Sequence, residues 1–125
     1  MVRGLIWVGS SQKDFSTFPE DVKDGISDAL YLAQKGEKAA NAKPLKGFLG
    51  ASVLEIIERD RSGTYRCVYV VKFRAAVYVL HVFQKKSHKG IATPHEHLEM
   101  IKRRLKLAGE IDAQLIIVQE EKEGR

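Results

Sequence analysis

The side chains best suited to chemistry in this sequence are cations that follow the apolar run 77–84. Lys85, Lys86 and Lys89 flank His88, and no Asp or Glu occurs between Lys72 and Lys89. Lysines bind phosphate oxygens, and a histidine has a pKa near neutrality and can therefore donate or accept a proton. This local excess of positive charge predicts a phosphate site. The alternatives are a charged strand end that discourages edge pairing and an ordinary exposed loop histidine.

The sequence offers little to a metal ion or a nucleotide cofactor. It has one cysteine, Cys67, and four scattered histidines, and the His95-Glu96-His97 run lacks the paired cysteines of zinc deaminases. No glycine-rich phosphate-binding motif is present. We therefore expect no metal and no cofactor. Cys67 lies inside an apolar run and is expected to be a core residue in a reducing compartment.

Length and composition predict one globular domain, residues 1–125. The chain has 44% hydrophobic and 30% charged residues, which is typical of a folded soluble protein. Its net charge of +5 favours an anionic partner such as nucleic acid or an acidic protein. Because no apolar run reaches membrane-spanning length and the N-terminus is a poor signal peptide, a cytoplasmic location is expected.

Apolar periodicity predicts the elements of the N-terminal half. Residues 5–8 form a short strand-like run, and Thr17 and Glu20 have the spacing of a capping box that starts an amphipathic helix ending at Gly36. Residues 37–50 have no sustained period and are interpreted as a connector. Three strands are then expected, at the ranges 53–58, 64–73 and 77–84, and they should form an antiparallel meander.

A second capping box, from Thr93 to Glu96, has Pro94 at the first helical position and predicts a closing helix that ends at Gly109. The apolar run 113–118 is then expected to be a last sheet strand or a segment that docks on a partner. The predicted fold class is α+β, a small antiparallel sheet with helices in the order β-α-β-β-β-α and a possible extra C-terminal strand.

Four short blocks, in order, resemble the signature blocks of the RelE/HigB toxin superfamily, particularly its phage-derived branch. The blocks are KPLKG at 43–47, LEI at 54–56, GTYRCVY at 63–69 and LHVFQKK at 80–86. The closing helix also resembles the terminal helix of that branch, and the resemblance covers roughly residues 18–108. The chain departs from the branch at Ile57, where an Arg is common. The resemblance implies the RelE-like toxin fold.

The resemblance also implies an activity, that of a toxin which enters the ribosomal decoding site, cleaves mRNA without a metal and is neutralised by a co-encoded antitoxin, often one with a helix-turn-helix domain. It places Arg66 at the catalytic arginine of the family. The alternative for Arg66 is a strand arginine paired with Glu55 or Glu58.

The resemblance assigns roles to several further cations. Lys85 or Lys86 corresponds to the basic residue after the strand, and Lys43 and Lys46 lie in the block that contacts the RNA backbone. His88 is a further candidate for acid–base catalysis. Lys89 is a further candidate for RNA binding.

Three side chains of the predicted sheet are expected to pack rather than to act on a substrate, namely Tyr65, Tyr69 and His81. Other functions also remain open at this point. A ParE-like toxin on the same fold would poison DNA gyrase without cleaving RNA, and a nucleic-acid-binding module would bind in a salt-dependent way without cleavage. A decayed toxin is the last alternative.

Overall fold

The computed structural model of the chain describes residues 2–48, 52–85 and 94–124. Over these ranges, no helix is both long and apolar enough to cross a membrane. The described helices and strands are, in chain order, β1 (Gly4–Trp7), α1 (Ser11–Phe15), α2 (Glu20–Gln34), β2 (Ala42–Pro44), β3 (Val53–Asp60), β4 (Gly63–Val70), β5 (Ala76–Lys85) and α3 (His95–Glu123).

A five-stranded sheet with the order β1-β5-β4-β3-β2 organises the fold. Strands β3, β4 and β5 form the predicted antiparallel meander, so the α+β prediction is confirmed. The sheet is not wholly antiparallel, however, because β1 pairs with β5 in parallel, with Gly4 opposite Ala76. Helix α2 lies between β1 and the meander and supplies the crossover that parallel strands require. The predicted connector 37–50 also contains a short strand, β2, which pairs with β3.

Each face of the sheet is covered by one of the two longer helices. Helix α2 buries Ile26 and Leu30 in one apolar cluster, and α3 buries Ile101 and Ala108 in the other. Tyr65, Tyr69 and Cys67 are buried under α2, as expected. Burial also raises the pKa of the Cys67 thiol, because water no longer solvates the thiolate. The thiol therefore stays neutral and acts as an apolar core group.

The first predicted capping box does not form. Helix α2 begins at Glu20 after Pro19, without a side-chain cap, and the Thr17 hydroxyl instead donates to the carbonyl of Asp14. Thr17 thus bonds to the last turn of α1, a short helix that the apolar pattern did not predict. Helix α3 begins at His95, one residue later than predicted, and Thr93 lies outside the described residues.

Helix α3 does not end at Gly109 but continues to Glu123, so the predicted helix end and the possible C-terminal strand at 113–118 are both wrong. Gly109 has a packing role instead. A Cβ atom there would lie 3.3 Å from Cζ of Phe73, so the absence of a side chain lets the helix approach the sheet closely. The apolar residues of 113–118 lie within the helix.

A buried carboxylate, Asp112, fastens the middle of α3 to the turn between β4 and β5. Its Oδ1 accepts hydrogen bonds from the backbone N–H of Ala75 and from the hydroxyl of Tyr78, both at 2.8 Å. Its Oδ2 accepts one from the backbone N–H of Arg74 at 3.2 Å. Burial and the Asp112 carboxylate together raise the pKa of the Tyr78 hydroxyl, which keeps its proton and remains a donor.

Replacing this carboxylate should cost much of the stability of the domain. We expect Asp112→Ala to lower the free energy of unfolding by about 2–4 kcal/mol, because three donors around the buried carboxylate lose their acceptor. Urea unfolding followed by circular dichroism measures this loss. The control is Asp28→Ala, at an exposed carboxylate on α2, which should change stability by less than about 0.5 kcal/mol. Equal losses in the two variants would contradict a clamp at Asp112.

Candidate active site

The register of the meander places the candidate catalytic arginine between two apolar side chains. Arg66 of β4 lies opposite Ile57 of β3 and Phe83 of β5. Side chains alternate between the two faces along a strand, so residues two positions away share a face. Arg59 of β3 and Lys85 of β5 both pair with Thr64, which lies two positions before Arg66 in β4. Arg59 and Lys85 therefore lie on the same face of the sheet as Arg66.

Arg66 forms a buried ion pair with Glu55. The residues are only 4% and 3% exposed, and Nη1 of Arg66 donates to both carboxylate oxygens of Glu55 at 2.9 Å. The Nε atom of Arg66 is buried without a hydrogen-bond partner. Lys43 of β2 approaches the same carboxylate from the surface, with its Nζ 3.8 Å from Oε1. The pairing with Glu55 that the sequence left as an alternative is thus present.

Lys85, at the end of β5, is the partly buried member of this group of charges. Its pKa is lowered, first by burial and then by the guanidinium of Arg66. Lys43 and Arg59 act in the same direction, whereas Glu55 opposes them. We call Lys43, Arg59, Arg66 and Lys85 the cation cluster. Since the cluster carries four cations against the one carboxylate of Glu55, it can attract an anion and can stabilise negative charge that develops in a reaction.

Two clefts open beside the cation cluster. The larger, of about 570 Å³, has Lys85 in its wall together with Tyr65, Phe83 and His97. The smaller, of about 220 Å³, is lined by Lys43, Ile57 and Arg59 among others. The larger cleft combines aromatic rings and a cation with two carboxylates, Asp14 and Glu96. Aromatic rings beside a cation are one means by which proteins bind single-stranded nucleic acid.

A histidine pair joins the start of α3 to this region of the sheet. Nε2 of His81 and Nδ1 of His97 are 2.7 Å apart, and the His97 ring stacks on Phe83 with centroids separated by 4.2 Å. Nη1 of Arg104 lies 3.5 Å from Nδ1 of His81 and donates to the carbonyl of Leu80. Burial, His97 and Arg104 lower the pKa of His81 to about 4. His81 is therefore a neutral, packed sheet residue, as the sequence predicted.

The described residues bring together part of the predicted site. Arg66, Lys85 and Lys43 meet around Glu55, whereas Lys46 is exposed in the turn after β2 and is not among the charges that act on Lys85. The predicted site residues Lys86, His88 and Lys89 lie outside the described ranges. Within those ranges, no group of three or more His, Cys, Asp or Glu side chains is placed to hold a metal ion.

Sequence reasoning missed Arg59 entirely and treated Glu55 only as a possible partner of Arg66. The alternation along β3 was the available signal, because it places positions 55 and 57 on one face of the predicted strand 53–58 and adds position 59 where the strand continues, as β3 does. Which β4 and β5 residues lie beside them depends on the register, which no local pattern specifies.

Comparison with known proteins places this chain in a family. Residues 13–106 match the family described as phage-derived protein Gp49-like (DUF891). The chain belongs to this family. No curated protein matches the chain.

Solved structures show the fold that this Gp49-like chain adopts. The toxin RelE of Escherichia coli, as an arginine-to-alanine double mutant in the free state, superposes with a TM-score of 0.53 and 20% sequence identity, covering 82% of this chain and 98% of that one. A toxin–antitoxin complex, RelBE2 of Mycobacterium tuberculosis, gives a TM-score of 0.45 and 20% identity, covering 70% of this chain and 95% of that one. The match to RelE confirms the fold prediction for the Gp49-like chain.

The lowered pKa of His81 should make the Gp49-like domain less stable in acid. The folded chain keeps His81 neutral from the ordinary pKa of 6.5 down to about 4, whereas the unfolded chain takes up a proton in this range. The free energy of unfolding should therefore fall as the pH falls through the range, with a contribution of up to about 1.4 kcal/mol per pH unit from this group.

Urea midpoints measured across the same pH range test this expectation. His81→Gln removes the titrating group and should flatten the pH dependence, whereas His95→Gln, at an exposed histidine, should leave it as in the wild type. An unchanged slope in His81→Gln would show that other groups control acid stability.

Proposed function

We propose that this chain is the toxin of a type II toxin–antitoxin system and that it inhibits translation as a metal-independent, ribosome-dependent mRNA endonuclease. The observation that carries the proposal is the cation cluster at the end of the meander. Three of its four members, Lys43, Arg66 and Lys85, occupy the positions to which the resemblance assigns RNA contact or cleavage. Membership of the Gp49-like family and the fold shared with RelE support the same conclusion.

RNA cleavage without a metal proceeds by attack of the ribose 2′-hydroxyl on the adjacent phosphate. It needs a group that accepts a proton, cations for the developing charge and a donor for the leaving 5′-oxygen. Lys85 is suited to bind the phosphate or to protonate the leaving 5′-oxygen. Its lowered pKa makes proton release easier, while its positive charge still attracts phosphate. His88 remains the proposed acid–base candidate, and Lys86 and Lys89 remain proposed contacts to the RNA.

Arg66 acts in this proposal as a fixed charge beneath the phosphate. Its Nη1 is held by Glu55, so the guanidinium cannot swing freely to a substrate. A buried charge is poorly screened by salt and acts strongly on neighbouring groups, as its effect on the pKa of Lys85 illustrates. Electrostatic stabilisation by a preorganised group of this kind is often a large contribution to catalysis.

Arg59 offers a cation in place of the arginine that the related branch often has at position 57. Here Ile57 lies directly opposite Arg66, and Arg59 follows two residues later on the same face. Arg59 is exposed, shares the smaller cleft with Lys43 and acts electrostatically on Lys85. Exposed Lys43 and Arg59 are suited to contacts with the RNA backbone, which need positive charge but little geometric precision.

The partner expected for such a toxin is a cognate antitoxin, with a helix-turn-helix domain as in many related systems. A surface with this excess of positive charge is neutralised most directly by acidic side chains that cover it. The proposed antitoxin therefore covers the cation cluster or adds an element to the sheet beside it. The run 113–118, a docking strand in the sequence-based hypothesis, is helical and cannot pair in that way.

Lys85→Ala is the sharpest test of the cleavage site. Wild-type chain induced in growing bacteria should arrest growth and create new mRNA 5′ ends inside translated frames. Lys85→Ala should reduce these cuts by about 100-fold or more, the usual contribution of a positioned acid, base or cation. The matched control Lys35→Ala removes a lysine just after α2 that pairs with Glu37, and this variant should cut as the wild type does.

The mRNA 5′ ends are mapped by primer extension, and circular dichroism checks that each variant folds. Growth arrest with intact messages would instead direct attention to DNA gyrase. Absence of arrest for the wild type would contradict the toxin proposal, and undiminished cutting by folded Lys85→Ala would remove Lys85 from the site.

A double substitution separates the structural role of Arg66 from its proposed catalytic role. Arg66→Ala alone should lower stability by about 3–5 kcal/mol, because it leaves the Glu55 carboxylate buried without its partner. Glu55→Leu combined with Arg66→Met removes both charges and should restore most of that stability. We expect the restored protein to fold and still fail to cut mRNA. Normal cutting by it would exclude Arg66 from catalysis.

A further inference from the structure

The second half of α3 carries an apolar stripe, most of which is exposed to solvent. Leu107, Leu115 and Val118 are 41%, 39% and 46% exposed, and Ile111, which is partly buried against the core cluster of Ile101 and Ala108, lies between them. Their spacing of four, four and three residues places all four on one side of the helix. The side chains that pack against the sheet, such as Ile101 and Ala108, lie on a neighbouring side.

Charge is distributed unequally along the same helix. Its first half carries exposed Lys102, Arg103 and Lys106, and its second half carries exposed Glu120 and Glu121. Arg103 and Glu121 are separated by eighteen residues, which is five full helical turns, so they border the apolar stripe on the same side. The stripe is thus flanked by a cation near one end and by an anion near the other.

We infer that α3 pairs in an antiparallel arrangement with α3 of a second copy of this chain. When the two helices cross near residues 112 and 113, Leu107 of one copy lies opposite Val118 of the other, and Ile111 lies opposite Leu115. The same crossing brings Arg103 opposite Glu121, twice by symmetry. A single crossing point therefore pairs the apolar side chains with each other and the cations with the anions.

The self-complementary spacing favours a second copy over an unrelated partner. A C2 dimer requires a surface that matches itself when its direction is reversed, and both the apolar and the charged residues of α3 meet this requirement. A parallel pair would instead place Arg103 beside Arg103 and Glu121 beside Glu121. Because a single helix from each copy forms the interface, it is small, and a weak, concentration-dependent dimer is expected.

Sedimentation velocity of the purified full-length chain over a range of concentrations tests the inference. The wild type should change from monomer to dimer as the concentration rises. Leu115→Glu should remain monomeric, whereas Ile117→Glu, at a similarly exposed position off the stripe, should dimerise like the wild type. A wild type that stays monomeric throughout, or equal effects of the two substitutions, would overturn the inference.

Charge reversal tests the antiparallel arrangement itself. Arg103→Glu and Glu121→Arg should each weaken dimerisation about tenfold, because two attractive pairs become repulsive. The double variant Arg103→Glu with Glu121→Arg restores opposite charges across the crossing and should recover wild-type dimerisation. Circular dichroism confirms that each variant keeps its helix content. If the double variant dimerises no better than the single ones, the antiparallel pairing is wrong.

Discussion

The buried pair of Arg66 and Glu55 is the interaction on which the candidate site depends. Removal of each ion from water costs several kcal/mol, so the two charges are tolerated only where the strands hold them together. The pair joins β4 to β3 across the meander and fixes a positive charge within the sheet. The guanidinium of Arg66 is also the strongest charge acting on Lys85. A change in the register of β3 and β4 would therefore disrupt both the fold and the cation cluster.

Helix α3 packs against the face of the sheet that carries Arg66, and polar contacts fasten the helix at two places. Asp112 binds the turn before β5, and His97 pairs with His81 near the other end of that strand. These contacts leave Lys85 at the rim, where the clefts begin. Because the cluster residues project from strands rather than from long loops, their relative positions are set before any substrate binds, which favours precise electrostatic catalysis.

Local patterns in the sequence predicted the meander and α2 correctly, because these elements have clear apolar periods and turn residues. They failed where a tertiary contact overrides a local signal. Gly109 looks like a helix end, yet it lies inside α3, where it leaves room for Phe73. The same limit applies to the cation cluster. The resemblance proposed Arg66, and Lys85 or Lys86, as site residues, but Arg59 joins Arg66 and Lys85 only through the pairing register, which a single strand does not encode.

The Glu55 carboxylate affects the cation cluster in two opposite ways. Glu55 cancels one positive charge, so four cations and one anion leave a net charge of three. In return, it holds a guanidinium at a depth where water and salt screen it weakly. Exposed Lys43 and Arg59 respond differently, because salt screens them and counterion release governs their binding to phosphates. Attraction of an anionic partner should therefore depend strongly on salt, whereas the field of Arg66 at a bound phosphate should depend on it much less.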